Sequence, residues 1–201
     1  MAYGINDRGQ VVGVSSVAVG YQHAFLWERG VMTDLGTLGG YYSSAQGINH
    51  RGQVVGLSST AGGQIHAFLW EKGEMIDLGT LGGPNSYAHG IKDLGQIAGR
   101  SETSAGNMHA VLWEDGSLID LGTFGGPYSS AYGINNRGQV VGAAFSSSGW
   151  PHAFLWEKGS MTDLGTLGGS YSYANGISNR GQIVGGASTT SGLSHAFLWT
   201  P

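Results

Sequence analysis

The chain has 201 residues, of which 40% are hydrophobic, 11% are charged and 38 are glycine. This composition is too apolar for a disordered chain and too evenly interrupted by glycine for a helical bundle. The net charge of -4 and the lack of a basic cluster argue against nucleic-acid binding. No apolar run reaches the roughly 20 residues that span a membrane, and there is no cysteine for a disulfide or a thiolate.

Almost the whole sequence is one unit of 43 residues that occurs five times. The pair Gly-Ile begins at Gly4, Gly47, Gly90, Gly133 and Gly176. The motif His-Ala-Phe-Leu-Trp, with Val for Phe in the third copy, begins at His23, His66, His109, His152 and His195. A fixed period of this length is typical of an array of identical small units. We therefore expect one domain of five units, at about 1–43, 44–86, 87–129, 130–172 and 173–201.

The first copy predicts four strands in chain order. Residues 2–6 are short and apolar and end at the turn Asp7-Arg8-Gly9, and residues 10–15 are β-branched. After a variable stretch at 16–22, the third strand is predicted at 23–27 and the fourth at 31–37, before Leu-Gly-Gly. Short runs separated by glycine turns indicate an antiparallel meander, and no segment has a helical period of useful length.

Four strands in 43 residues match the size of one β-propeller blade. In the third strand, Phe25 and Trp27 face one way and Ala24 and Leu26 the other, so both sides are apolar, as in a blade packed between two neighbours. A β-solenoid is the alternative, although its coils are usually shorter and its strands do not pair through tight glycine turns. The prediction is an all-β, five-bladed β-propeller.

The last copy is one strand short. The fourth strand type occurs only around Asp34, Asp77, Asp120 and Asp163, whereas the other three types occur five times, which gives 19 strands. Because a ring tolerates a missing outer strand but not an internal gap, the Gly-Ile strand is predicted to be innermost and the fifth blade to lack its fourth strand. This leaves an unpaired edge at residues 195–199. A closed monomer is not the only possibility. The chain could be part of a longer array, or several chains could exchange strands to form an oligomer.

These motifs resemble the bacterial HAF-repeat family, which is named for His-Ala-Phe. Gly-Ile-Asn, Gly-Gln-Val-Val-Gly, His-Ala-Phe-Leu-Trp and Asp-Leu-Gly-Thr-Leu-Gly-Gly each occur in three or four copies, and these motifs with their close variants cover the chain from end to end. The resemblance implies an extracellular or cell-surface bacterial protein of unassigned function with a β-propeller-like fold. Copies this alike indicate recent amplification of one blade or a designed array. Since repeat sequence begins at Tyr3, we expect no signal peptide in this chain.

The repeated His, Trp and Asp residues are predicted to be structural. Five-fold placement would hold the histidines far apart, whereas zinc needs several ligands within about 2.0–2.3 Å, and no calcium loop or second carboxylate surrounds the aspartates. Each His is instead expected to hydrogen-bond a buried partner in the next strand, Asp34 or Thr37 in the first copy, by analogy with the His–Asp–Trp networks of WD40 blades. No metal, cofactor or catalytic residue is predicted. The predicted network comprises His23, Trp27, Asp34, His66, Trp70, Asp77, His109, Trp113, Asp120, His152, Trp156, Asp163, His195 and Trp199.

Specific function is expected where the copies differ. The most variable segments are the connection between the second and third strands and the residues after Leu-Gly-Gly, which lie on the same face of a four-stranded meander. That face carries aromatic residues among Ser, Asn and Gln, a combination that suits sugar rings or peptides; alternatively these residues only pack the loops. The candidate ligand-binding residues are Tyr21, Tyr42, Tyr87, Tyr128, Trp150 and Tyr171.

The sequence therefore predicts a non-catalytic scaffold or interaction module. Serine is abundant but lies in loops without a nucleophile motif, and no glycine pattern leads into a helix that could bind phosphate. The second hypothesis is a lectin with up to five equivalent sites on the variable face. The expected partner is a glycan or a protein, and neither nucleic-acid binding nor membrane insertion is expected.

Overall fold

A computed structural model describes residues 1–18 and 20–201, and Val19, within the variable stretch 16–22, lies outside the described residues. In that part of the chain all the regular secondary structure is β-strand, with nineteen strands. The described residues contain no helix with the length and hydropathy needed to cross a membrane. In chain order the strands are β1 (Ala2–Ile5), β2 (Val11–Ser16), β3 (Gln22–Glu28), β4 (Val31–Asp34), β5 (Gly39–Ile48), β6 (Val54–Thr60), β7 (Ile65–Glu71), β8 (Glu74–Asp77), β9 (Gly82–Ile91), β10 (Ile97–Thr103), β11 (Met108–Glu114), β12 (Ser117–Gly122), β13 (Gly125–Ile134), β14 (Val140–Ser146), β15 (Pro151–Glu157), β16 (Ser160–Asp163), β17 (Gly168–Ile177), β18 (Ile183–Thr189) and β19 (Ser194–Trp199).

The strands form antiparallel meanders that follow the sequence repeat. In each of the first four repeats, four consecutive strands pair in chain order, and the fifth repeat contains three, β17, β18 and β19. One parallel bridge, between Gln22 and Tyr42, links the first two meanders into a single sheet. The fold is therefore all-β, with each repeat acting as one local unit.

The first strand of repeats two to five begins earlier than the sequence indicates. β5 covers ten residues from Gly39, and β9, β13 and β17 match it in length. The extension forms because the chain before Tyr42 also pairs with the second strand of its own repeat: Gly39 is opposite Thr60, and Leu38 N donates to Ser58 Oγ at 2.8 Å. The prediction of a variable connection after Leu-Gly-Gly was wrong here. The residues concerned lie in strands: Tyr42, Tyr87, Tyr128 and Tyr171.

Each repeat packs one face of its sheet on the opposite face of the next. At the first junction, Val12, Ala24 and Leu26 pack against Val54 and Phe68. Equivalent side chains form the cores of the next three junctions. The prediction that both faces of the third strand are buried is confirmed in the internal repeats, as at Ala67 and Phe68, but not in the first, where Trp27 is 38% exposed. Each large apolar side chain that is buried contributes roughly 1.5–3 kcal/mol to stability.

The first and last repeats each leave one face uncovered. Val184 and Leu198 of the fifth repeat are 51% and 63% exposed, whereas Val12, at the position equivalent to Val184, is 0% exposed. Ile5, on the opposite face of the first repeat, is 70% exposed. No strand pairing within residues 1–18 and 20–201 joins the last repeat to the first. The strand count predicts a closed ring, but the described sheets are not closed.

The Gly-Ile strands of successive repeats lie next to one another. β1 contacts β5, β5 contacts β9, β9 contacts β13 and β13 contacts β17. A Cβ atom on Gly47 would lie 3.2 Å from the carbonyl oxygen of His89 and 3.6 Å from the Cα atom of Gly90. This close approach explains why glycine is repeated in this strand.

A buried asparagine after the Gly-Ile pair connects neighbouring repeats. Asn49 Nδ2 donates to Gln53 Oε1 at 2.6 Å and to the carbonyl oxygen of Lys92, 43 residues later, at 3.1 Å. Asn6 and Asn135 make the same two kinds of hydrogen bond. In the third repeat the position is Lys92, which is 8% exposed, and Gln96 Oε1 is buried with no partner among the described residues. The third repeat therefore lacks a connection that these other repeats have.

Replacing Lys92 by Asn is expected to raise the free energy of unfolding by about 1–2 kcal/mol. The new amide would supply the donor that Gln96 lacks. Urea unfolding of Lys92→Asn beside the wild type measures the change. The reciprocal variant Asn49→Lys should lose a similar amount, and a Lys92→Asn variant no more stable than the wild type would contradict this interpretation.

Replacing Gly142 by Ala is expected to destabilise the chain by about 3 kcal/mol, the upper end for overpacking. A methyl group there would overlap the carbonyl oxygen of Ser130 on the paired strand, so β13 and β14 would have to separate. The control is Gly186→Ala, since a Cβ at that position meets nothing closer than 3.8 Å and the fourth repeat carries Ala143 there. Equal unfolding free energies for the two variants would show that the strand contact is not tight.

Candidate functional site

The repeated histidines pair with aspartates of the adjacent strand. The distances from His Nδ1 to Asp Oδ2 are 2.9, 2.7, 2.8 and 2.7 Å in the first four repeats. The aspartate side chains are not buried, contrary to expectation, since they are 40–51% exposed. Each lies at or near the end of the fourth strand of its repeat and also accepts a hydrogen bond from a following glycine, such as Gly36 N to Asp34 Oδ1 at 2.8 Å. The pairs are His23–Asp34, His66–Asp77, His109–Asp120 and His152–Asp163.

The tryptophans are separate from these pairs. Trp70, Trp113, Trp156 and Trp199 belong to the apolar clusters between repeats. Trp113 Nε1 donates to a backbone carbonyl, that of Leu78, at 2.8 Å. The residues of the predicted network therefore form two separate features. One is the set of exposed His–Asp pairs, and the other is the set of tryptophans packed at the junctions between repeats. Within residues 1–18 and 20–201, no group of three or more His, Cys, Asp or Glu side chains could hold a metal ion.

His195 and Trp27 differ from their counterparts because they lie at the two ends of the array. His195 is exposed, and no aspartate of the described residues pairs with it. Trp27 is 38% exposed, since the described residues leave its face of the sheet uncovered. The repeated residues therefore behave as parts of the scaffold whose surroundings depend on the neighbouring repeats.

Two of the six predicted aromatic residues, Tyr21 and Tyr42, lie near each other at the first junction. Tyr21 packs on Tyr41, with 5.0 Å between ring centroids, and the next residue, Gln22, pairs with Tyr42, which is half-buried in β5. Trp150, which is 51% exposed, lies beside a turn of the fourth repeat.

The other three predicted residues lie around a cavity between the third, fourth and fifth repeats. The cavity has a volume of about 290 Å³, and we call it the Arg100 pocket. Tyr128 lines it and packs edge-on against Phe145, with 5.9 Å between ring centroids. Tyr87 and Tyr171 contact its lining residues from outside. The main lining residues are Arg100, Tyr128, Ser130, Tyr132, Phe145 and Tyr173.

Arg100 is the most unusual residue of the pocket, because it alone of the nine lysines and arginines lies in a strand. Ala98 on the same face of β10 is buried in the core between the third and fourth repeats, so Arg100 faces the fourth repeat at the edge of that core. Its Cζ atom is 4.6 Å from the ring centroid of Tyr87, a cation–π contact. Other repeats have small or apolar residues at this position: Val14, Leu57, Ala143 and Gly186.

Several polar atoms here have no partner in the described residues. Arg100 Nε, His89 Nε2 and Ser130 Oγ are buried without a hydrogen bond. No described acidic side chain forms an ion pair with Arg100, and none is among the residues lining the pocket. Leaving a buried donor unpaired costs about 1–3 kcal/mol. The pocket is therefore lined by two residues, Arg100 and Ser130, that each have a polar atom without a partner in the protein.

Two titratable groups in or beside the pocket, His89 and Tyr173, are kept neutral at pH 7 by burial. Burial lowers the pKa of His89 to about 4, and the positive charge of Arg100 acts in the same direction. Burial, with Tyr132 and Tyr171 nearby, raises the pKa of Tyr173, so its phenol stays protonated. Arg100 is consequently the single charge in the lining of the pocket.

Sequence reasoning identified Tyr87 and Tyr128 but missed Arg100, His89 and Tyr132. The signal was available, because these residues break the repeat inside strands rather than in loops. Arg100 stands where other repeats have small or apolar residues. The position of His89 is occupied by Gln46, Tyr132 and Asn175 in the second, fourth and fifth repeats. Comparing the copies position by position through the strands would have singled out this part of the chain.

The comparison with solved structures shows a β-propeller-like fold. The chain is similar to a gluconolactonase from Xanthomonas campestris, with a TM-score of 0.51 and 11% identity over 96% of this chain and 73% of that one. It is similar to the β-propeller domain of the Trilobed protease from Pyrococcus furiosus, described as having an open velcro topology, with a TM-score of 0.50 and 10% identity over 99% of this chain and 80% of that one. At these identities the likeness shows the fold alone.

A third similar structure is the acylaminoacyl peptidase of Pyrococcus horikoshii, with a TM-score of 0.58 and 13% identity. The match covers 94% of this chain but only 34% of the peptidase. No protein-family model and no curated protein matches the sequence. The fold class is thus shown, and function has to be argued from the pocket.

Acidification is expected to destabilise the chain between pH 6.5 and about 4 through His89. The unfolded chain takes up a proton near pH 6.5, whereas the folded chain does so only near pH 4. Stability therefore falls as the pH falls through this window. The contribution reaches about 3 kcal/mol at pH 4.

Urea unfolding at pH 7 and pH 4 measures this loss, with His89→Gln as the control, since Gln46 occupies the same position. The variant should lose less stability on acidification than the wild type, by the amount that His89 contributes. Equal losses in the two proteins would show that His89 is not kept neutral by its surroundings.

Proposed function

We propose that the chain is a five-bladed β-propeller that binds a ligand without catalysing a reaction, using the Arg100 pocket. The blades are the five repeats, with the Gly-Ile strands innermost and the last blade lacking its fourth strand. Support comes from the propeller-like structures that the chain resembles and from the consecutive contacts of β1, β5, β9, β13 and β17.

The observation that carries this proposal is the set of unused donors around Arg100. Scaffold positions in the repeats are either apolar or hydrogen-bonded within the protein, as for Asn49. The pocket instead combines Arg100, whose Nε has no partner, with three tyrosine rings and the unpaired hydroxyl of Ser130. A concave site with aromatic walls and a few convergent polar groups is the usual form of a small-molecule site.

A lectin-like role fits one pocket better than five equivalent sites. Arg100 and Phe145 have no identical counterpart in any other repeat. The tyrosine at the position of Tyr132 occurs in one other repeat, as Tyr3. Tyr21 and Tyr42 lie outside the pocket. The repeats would therefore provide a rigid frame, and the ligand would bind at a single place on it.

Binding without catalysis is proposed because the pocket lacks an arranged base. No hydrogen bond joins the unpaired atoms His89 Nε2 and Ser130 Oγ. None of the lining residues has a carboxylate that could orient the His89 ring. An activated nucleophile ordinarily needs such a chain of hydrogen bonds. The lining residues would instead fix a ligand in position through donors and aromatic rings.

The test uses saturation-transfer NMR to detect binding of a panel of neutral and acidic monosaccharide glycosides and short peptides. We expect at least one compound to bind the wild type. Ala143→Leu should abolish that binding with an unchanged melting temperature, because leucine fills the pocket and Leu57 occupies the same position in the second repeat. Gly186→Leu, which introduces leucine at the equivalent position of the fifth repeat and outside the pocket, should bind as the wild type does.

Two outcomes would overturn the proposal. One is a wild type that binds no member of the panel, and the other is undiminished binding by a folded Ala143→Leu variant. The NMR spectra of the ligands also report on catalysis. Conversion of a bound compound to a product by the wild type but not by Ala143→Leu would show that the pocket is an active site.

A further inference from the structure

We propose that the ligand of the Arg100 pocket is an acidic sugar of the hexuronate class, with its carboxylate on Arg100 and its ring against the tyrosines. This inference rests on the proposed function and adds the chemistry of the ligand to it. Nothing in the repeat itself requires an arginine at this position, since Leu57 and Ala143 occupy it elsewhere.

The orientation of Arg100 favours a carboxylate. Tyr87 packs against the guanidinium group, with 4.6 Å from Cζ to the ring centroid, and holds it in place. Arg100 Nε has no described acceptor, and no described carboxylate forms an ion pair with the guanidinium group. The five N–H donors of that group lie in one plane. A carboxylate can accept two of them side by side, which is the geometry that arginine recognises best.

The electrostatics of the pocket favour a single negative charge. Arg100 is the only ionised residue in the lining, and the chain as a whole carries a net charge of -4. His89 stays neutral beside it at pH 7, so it adds no second positive charge. A singly charged carboxylate therefore matches the pocket better than a doubly charged phosphate does.

The walls of the pocket suit a sugar ring. Tyr128, Tyr132, Tyr173 and Phe145 provide aromatic surfaces against which the C–H face of a pyranose can pack. The tyrosine hydroxyls make no hydrogen bond to the described residues, and Ser130 Oγ is unpaired, so both can bond to sugar hydroxyls. The volume of about 290 Å³ is at the lower end for ligand pockets, which limits the bound part to about one sugar unit.

Calorimetry with matched sugars tests the inference directly. The probes are the methyl glycosides of glucose and galactose and of the corresponding uronic acids, each pair differing only in a hydroxymethyl group or a carboxylate at C6. In the wild type we expect one of the acids to bind at least ten times more tightly than its neutral partner in low salt. The preference should weaken as the salt concentration rises.

Variants at Arg100 identify the source of the preference. Arg100→Leu should remove it, leaving the acid and the neutral sugar about equal, and Leu57 indicates that leucine fits the fold at this position. Arg100→Lys should keep an intermediate preference, because it retains the charge but loses the paired donors. Arg137→Leu, which removes the same charge from a turn of the fourth repeat, should leave the preference unchanged.

The results separate this inference from the proposed function. Equal binding of acid and neutral sugar by the wild type, abolished by Ala143→Leu, would overturn the acidic ligand and keep the binding site. A preference that survives in Arg100→Leu would also overturn the role of Arg100. Failure of the wild type to bind any of these sugars or any compound of the wider panel would overturn both proposals.

Discussion

The structure depends on the packing of each repeat's sheet on the next. At every junction an apolar face of one repeat meets the opposite face of its neighbour, as Val12 and Leu26 meet Val54 and Phe68. The backbones also approach closely, since Gly47 lies against Gly90. Because both faces of an internal repeat are used in this way, most strand positions cannot change without loss of packing. This constraint accounts for the recurrence of apolar residues and glycine at the same strand positions of the copies.

A scaffold built this way can hold a specific site only where a strand residue reaches the edge of a junction. Arg100 is at such a place, since Ala98 on the same face is buried in the core and Arg100 faces the cavity beyond it. The site carries a cost in the unbound protein, because Arg100 Nε and Ser130 Oγ have no partner there. Such a cost is expected at a position selected for binding rather than for stability.

The sequence predicts the local fold well because period and alternation are local properties. It predicts the number of strands, their order and the burial of both faces of the third strand, as at Ala24 and Phe68. It misses the early start of β5 at Gly39, which arises from pairing with Thr60, twenty-one residues further along. It does not identify the pocket, because His89 and Tyr132 become neighbours only when one repeat packs on the next.

The central claim is that binding occurs at one place, where the third and fourth repeats depart from the shared sequence. Amide NMR of the chain during titration with a methyl hexuronide tests it most directly, because it reports on all five repeats at once. We predict chemical-shift changes concentrated in β9, β10, β13 and β14, around Tyr87, Arg100 and Tyr132. Changes of similar size at equivalent positions of all five repeats, or changes that leave these strands unaffected, would contradict the account.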